Sequence, residues 1–316
     1  MSKQTTNGRG FEYAVLTEVE RAVSALATIR VQDDENLSQV RMAFLACDPS
    51  DRSIMQSAGR RFAEFLLAAE PRFTGSSSTV PLEILRQGDK RGEEGDVRDI
   101  LCTGSNPSWE VGISAKHNHK ALKNSRLSRT LDFGSKWMGI PCSKRYYEAI
   151  SGTFDYLDEH AKAEVLWRDV PRKYDQVYLP LMVAFIQEFR RIHSEHPSAA
   201  GQLLTYLLGG KDLYRVALLL KPNRVEIDGV NLHGTLNLPH RNFRPSLKVP
   251  KVDLTGALQG IDWKDGSKTT AVARFTSDWA VTLRIHSAKS RVEPSLKFDV
   301  QLLGQPGKLF RQSIPL

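Results

Sequence analysis

The chain has 316 residues, 41% of them hydrophobic and 25% charged, as in a globular protein with one large domain or two small ones. Its net charge of +8 favours an acidic partner, nucleic acid before a membrane surface. Three distant cysteines without a CxxC pair exclude a zinc site of that type and predict reduced thiols, as in the cytoplasm. The sequence has no run of 18 apolar residues and no secretory h-region, so we expect no membrane association.

The first part of the chain alternates predicted helices and strands. Apolar residues recur at helical spacing over residues 10–26, and residues 37–47 and 51–69 are further predicted helices. Strands are predicted at 96–102 and 109–116, the second from its strict apolar and polar alternation. Their connection, TGSNPS, contains Gly, Asn and Pro, which favour a hairpin.

A basic segment follows the second strand and carries no carboxylate to oppose it. If this segment is helical, Lys116, Lys120 and Lys123 share one narrow face, where they would follow a phosphate backbone. Arg126 and Arg129 would lie further round the helix and reach a groove. The alternative is a solvated basic face.

The second part changes character twice. Residues 143–212 are predicted to be mostly helical, and from Leu213 the apolar period becomes two, typical of strands. The sequence thus predicts an α/β fold with three regions, 1–140, a helical 141–212 and a β-rich 213–316, which could also form one compact unit.

The β-rich region holds a second predicted DNA surface on the strand WAVTLRIHSAKSR. Its odd-numbered apolar residues should point inward, so Arg284 and His286 should point outward. Arg284, Lys289 and Arg291 could bind guanine O6 and N7 or contact phosphates.

The predicted hairpin brings an acid close to a lysine. Pairing Cys102 with Trp109 would place Asp99 on the face of Ser114, one step before Lys116. A bulge that shifts the register would bring Asp96 there instead. A carboxylate that holds a divalent cation beside a lysine suits phosphodiester hydrolysis. The alternative is an ordinary surface hairpin.

The predicted helix at 10–26 contributes a further acid. On a helical wheel Glu12 falls within the apolar arc, between Val19 and Val23. Burying a carboxylate there costs folding free energy unless the carboxylate is paired or bound to a cation. It is therefore either half of a buried Glu–Arg pair or a metal-site carboxylate beside the hairpin.

A helix-borne Glu followed by an acid and a lysine on a hairpin resembles the PD-(D/E)xK nuclease superfamily. Six longer strings resemble the HaeIII-type restriction endonucleases: GRGFEYAVL, GDVRDI, WEVGISAKHNHKALKNSRLSR, DFGSKWMGIPCS, VEIDGVNLHGTLNLP and SRVEPSLKFD. This resemblance implies a restriction-endonuclease-like core, Mg²⁺-dependent cleavage of double-stranded DNA at GGCC, and a cognate methyltransferase in a prokaryotic cytoplasm. A palindromic target would favour a homodimer.

One position departs from the superfamily pattern. The second acid of the motif should stand two residues before Lys116, where this chain has Ser114. A second carboxylate would then be Glu12 or Asp96. Two other functions stay open. Ser114 leaves room for a non-catalytic DNA-binding protein on a decayed nuclease fold, and a structure-selective nuclease such as a junction resolvase shares the helix-borne Glu.

Overall fold

The computed structural model describes residues 3–74, 80–88, 96–105, 107–254, 257–276, 278–287, 289–304 and 306–316, without the Asn124 side chain. The chain forms two compact units. Unit 1 comprises Met1–Lys120, Gly209–Val252 and Lys308–Leu316, and unit 2 comprises Ala121–Leu208 and Asp253–Gly307. The predicted regions follow one another along the chain, whereas the two units interleave.

Unit 1 is built on a seven-stranded mixed sheet with the order β1-β2-β3-β4-β6-β7-β12. β1 with β2 and β4 with β6 pair in parallel, and the remaining neighbours are antiparallel. The strands are β1 (Ile29–Val31), β2 (Leu82–Arg86), β3 (Ile100–Gly104), β4 (Trp109–His117), β6 (Leu213–Leu219), β7 (Arg224–Val230) and β12 (Phe310–Pro315). Late strands thus complete a sheet that early strands begin, which explains the interleaving.

Three helices accompany this sheet: α1 (Lys3–Ser24), α2 (Glu35–Leu45) and α3 (Pro49–Ala69). α2 is capped by the Asp34 carboxylate, which accepts a hydrogen bond from Leu37 N, and α3 begins with a proline, whose missing N–H costs nothing there. The apolar stripe of α1, including Phe11, Val15 and Val19, is fully buried in the unit 1 core.

The predicted end of the first helix was wrong. α1 ends at Ser24, and Leu26, which the wheel placed in the apolar arc, is 50% exposed. Residues after the last helical turn no longer follow the 100° rotation that the wheel assumes, so Leu26 leaves the buried face. No helix in the described ranges is both long and apolar enough to cross a membrane.

Unit 2 has a five-stranded antiparallel sheet with the order β5-β11-β10-β9-β8. Its strands are β5 (Lys123–Ser128), β8 (Leu258–Trp263), β9 (Thr270–Phe275), β10 (Ala280–His286) and β11 (Ser295–Leu302). Its helices are α4 (Phe133–Met138), α5 (Lys144–Lys162), α6 (Leu179–Glu195) and α7 (Ala199–Leu207), which agrees with the predicted helical middle region. As predicted, the odd-numbered residues of β10 are buried and Arg284 is exposed.

The basic segment is not a helix, so the condition for a common face of its lysines is not met. Residues 123–128 form β5, which pairs with β11 through Leu127 and Leu296. Lys123, Ser125 and Leu127 are buried, so burial repeats every second residue. Pairing with β11 decides the conformation, because tertiary contacts override the weak helical propensity of single residues.

Candidate active site

The β3–β4 hairpin positions the candidate catalytic acid. Cys102 pairs with Val111 and Ile100 with Ile113, so the predicted pairing of Cys102 with Trp109 is two residues out of register. The strands continue to Gly104 and Trp109, which leaves a shorter loop than predicted; Asn106 of the predicted connection lies outside the described residues. A shift of two residues keeps each side chain on its face.

The corrected register brings Asp99 to Ser114. Oδ2 of Asp99 accepts hydrogen bonds from Ser114 Oγ at 3.0 Å, Ala115 N at 2.8 Å and Lys116 Nζ at 3.1 Å. Among the residues that the structure describes, Oδ1 of Asp99 accepts none. Ser114 is buried, unlike the solvated polar face that the alternation predicted, because β4 lies in the middle of its sheet. Asp99 is thus held by one oxygen while the other stays open.

Glu12 lies beside this pair and is itself paired. Its Oε2 accepts hydrogen bonds from Arg86 Nε at 3.2 Å and Nη2 at 2.9 Å, and both side chains are nearly buried. Burial and the negative charge of Asp99 raise the pKa of Glu12 to about 7, against the opposing effects of Arg86 and Lys116. The predicted buried Glu–Arg pair is present, and the same carboxylate is close enough to Asp99 to be repelled by it.

Asp96 is engaged elsewhere. Arg98 donates to it from Nε at 2.9 and 3.1 Å and from Nη2 at 2.8 Å, and also to Glu110 at 2.7 Å. Burial opposes ionisation of Asp96, but the hydrogen bonds from Arg98 outweigh it and lower the pKa of Asp96. A Cβ at Gly112 would lie 2.0 Å from Arg98 Cδ, so the glycine leaves room for this arginine.

The three predicted carboxylates therefore do not converge. In the described part of the chain, no three His, Cys, Asp or Glu side chains come together as a group that could hold a metal ion. Glu12 and Asp99 lie together with Lys116, whereas the ladder between β3 and β4 has no bulge to bring Asp96 into their place.

The predicted row of lysines is split between the units. Lys120, in unit 1, places its ammonium 2.9 Å from Glu226 Oε1 and is 44% exposed. Lys123, in unit 2, is buried, donates to Tyr206 O at 3.3 Å, and lies 3.8 Å from the centre of the Tyr206 ring. A common face with Lys116 does not form, because the segment between them is not helical.

The other predicted DNA-contact residues are exposed or half-buried and have partners within unit 2. These are Arg126 with Ser295 and Glu293, Arg129 with Asp155 and Asp158, Arg284 with Asp299, Lys289 with Glu293, Arg291 with Glu164, and His286 with Ser287 O. In the pairs of Arg129 and of Arg291 both partners are exposed to solvent, so a phosphate could replace those carboxylates at low cost.

A family model described as HaeIII restriction endonuclease matches residues 8–306. The chain belongs to the HaeIII restriction endonuclease family. One relative, the Type II restriction enzyme HaeIII of Haemophilus aegyptius, is 31% identical over 315 residues, which cover 99% of this chain and 98% of that protein. No solved structure matches the chain at a significant level.

Membership of the HaeIII family confirms the resemblance seen in the sequence and makes the chain a type II site-specific deoxyribonuclease. Sequence reasoning missed Arg86, the partner of Glu12. Arg86 ends β2, in which Leu82 and Ile84 are buried on the same face. A charged residue within an apolar pattern singled out Glu12. The same signal at Arg86 could have identified this pair.

Proposed function

We propose that this member of the HaeIII family cleaves both strands of duplex DNA at GGCC by metal-dependent hydrolysis, on a PD-(D/E)xK core. The observation that carries the mechanism is the grouping of Asp99, Lys116 and Glu12 around one strand end. Such a grouping supplies oxygen ligands for a hard cation and an ammonium for the developing negative charge.

The chemistry of the two carboxylates fits a divalent cation. Arg86 holds Oε2 of Glu12, and three donors hold Oδ2 of Asp99, while the other oxygen of each accepts no hydrogen bond within the described residues. Mutual repulsion contributes to the raised pKa of Glu12, and a cation would relieve it. Asp99 and Glu12 would hold Mg²⁺, which when bound activates water and neutralises charge on the phosphate.

The remaining roles belong to groups of the chain itself. Lys116, beside Asp99, would stabilise the negative charge that develops on the scissile phosphate. Ser114 stands at the position of the motif's second acid and acts instead as a hydrogen-bond donor that orients Asp99. Glu12 then supplies the second carboxylate, and Asp96 could join it only by leaving Arg98.

The wider assignments are proposals of the same kind. The exposed cations of unit 2 would contact DNA, and a palindromic site would be cut by a homodimer whose symmetry matches the target. A methyltransferase of the same specificity would protect the host DNA. Three free cysteines, Cys47, Cys102 and Cys142, agree with the reducing cytoplasm of a prokaryotic cell.

A plasmid digest tests this function. The protein is incubated with a plasmid of known sequence, with Mg²⁺ or with chelator, and the fragment ends are sequenced. Ends at every GGCC, formed only with metal, support the proposal. Binding without cleavage would indicate the non-catalytic DNA-binding protein, and a preference for branched DNA would indicate the structure-selective nuclease. Fragment ends at another sequence would refute only the assignment of GGCC as the target.

A further inference from the structure

A group of cations lies on the unit 1 sheet near the candidate active site, outside the residues assigned above except for Lys120. Its members come from β6, β7, β12 and the residues after β4: Lys120, Arg215, Arg224 and Arg311, around the carboxylates of Glu226 and Asp228. Four cations face two carboxylates, so this cation group carries a surplus of two positive charges.

The sheet register relates this group to the catalytic strand. Lys116 on β4 lies beside Ala217 on β6, which pairs with Glu226 on β7. Glu226 is therefore two strands from Lys116, about 10 Å at the usual spacing. One duplex can therefore contact both places at once, since phosphates follow one another every few ångströms along each strand.

Two members of the group are accessible and two are not. Lys120 and Arg224 are 44% and 39% exposed, and each contacts the nearly buried Glu226. Arg215 and Asp228 are buried; Arg215 Nη1 donates to Lys120 O at 2.7 Å, which fixes the backbone of that residue. Asp228 also accepts from Arg311 at 2.6 Å, so the buried pairs form a base beneath the exposed ones.

Glu226 holds both accessible cations in place. Lys120 Nζ lies 2.8 Å from its Oε2, and Arg224 Nη2 lies 2.8 Å from its Oε1. Although burial acts against it, Lys120, Arg224 and Arg311 lower the pKa of Glu226, which keeps this carboxylate charged and its cations in place. A cation held in position loses little side-chain entropy when a phosphate arrives.

We propose that Lys120 and Arg224 form a backbone-phosphate site that holds the DNA close to the scissile bond, one phosphate for each cation. This site rests on the proposed cleavage of duplex DNA and extends it to a named contact surface. Its contacts go to phosphates alone, so they position the duplex and carry no base specificity.

Salt dependence of binding tests the site. We measure the affinity for duplex DNA of four proteins: the parent, Lys120→Gln, Arg224→Gln and the double variant. The duplexes either contain or lack GGCC, chelator is present, and the salt concentration varies tenfold. Each lost phosphate contact should lower the slope of log affinity against log salt by about 0.9. The affinity deficit of each variant should then shrink about eightfold across the range, equally on both duplexes.

Two further variants complete the design. Arg30→Gln removes an exposed cation from β1, at the opposite edge of the same sheet, and should keep the parent slope. Arg224→Lys keeps the charge and should restore the slope, whereas a purely structural role for the guanidinium would not be rescued.

The phosphate site is refuted if the salt slopes of Lys120→Gln and Arg224→Gln equal the slope of Arg30→Gln. This holds even if the plasmid is cut at GGCC. Conversely, a protein that never cuts but shows the lower slopes would refute the proposed function and retain the site. Thermal melts of every variant confirm that the compared proteins are folded.

Discussion

Replacing Glu12 by glutamine separates a structural from a metal-binding role of this side chain. Burial and the charge of Asp99 raise the pKa of Glu12 to about 7, from an ordinary value of 4.5. Glutamine keeps the shape of the side chain but cannot ionise. The difference in unfolding free energy between the parent and Glu12→Gln must therefore change with pH.

The sign and size of this change follow from linkage. A carboxyl whose pKa rises on folding stabilises the folded state most below its unfolded pKa, and that contribution is lost as pH rises through the folded pKa. A rise from 4.5 to about 7 corresponds to about 3 kcal/mol. Relative to Glu12→Gln, the parent should lose about 3 kcal/mol between pH 4 and pH 8. The attraction of Arg86 for the ionised carboxylate already opposes this rise in pKa and adds no separate change.

Urea unfolding without divalent metal, at several pH values between 4 and 8, measures this difference. Glu35→Gln, which removes an exposed acid in the first turn of α2, is the matched control and should track the parent. Repeating the series with Mg²⁺ should stabilise the parent near neutral pH and leave Glu12→Gln nearly unchanged. A flat difference across pH would refute the burial argument, and equal stabilisation by Mg²⁺ would remove Glu12 from the metal site.

Lys116→Ala should slow single-turnover cleavage roughly 100-fold or more while duplex binding is largely kept, because the ammonium acts on charge that develops during the reaction. Asp99→Asn should abolish cleavage at every Mg²⁺ concentration, whereas Asp96→Asn should lower the melting temperature and keep the cleavage rate. If a Mg²⁺ titration instead shows that Asp96→Asn abolishes cleavage and Asp99→Asn does not, the two roles are exchanged. Gly112→Ala should lower the unfolding free energy by about 1–3 kcal/mol in urea titrations, because its Cβ would meet Arg98 at 2.0 Å.

Local patterns predicted most of what lies within one element. The strand at 109–117 and the inward residues of β10 follow from a period of two, although β4 is buried on both faces. The acid in the stripe of α1 follows from a period of 3.6. These signals depend only on residues that are close in sequence, so a single sequence is enough to detect them. They were enough to bring Asp99 and Lys116 into one hairpin.

Contacts between distant parts of the chain could not be predicted in this way. Arg86 is 74 residues from Glu12, and Lys120 is 106 residues from Glu226. The hairpin register depends on where the loop closes, and β5 is a strand because β11 lies beside it. Each of these features is decided by a partner that the local pattern does not name.

The interleaved chain path has a consequence for synthesis on the ribosome. β12 pairs with β7, yet it is made after every other strand of its sheet, roughly 80 residues later. At about 5–20 residues per second, the nascent chain would expose the open edge of β7 for roughly 4–16 s. Such an edge can pair with another nascent chain. Asp228, on that edge, accepts hydrogen bonds from Arg215, but its other partner, Arg311, is synthesised 83 residues later.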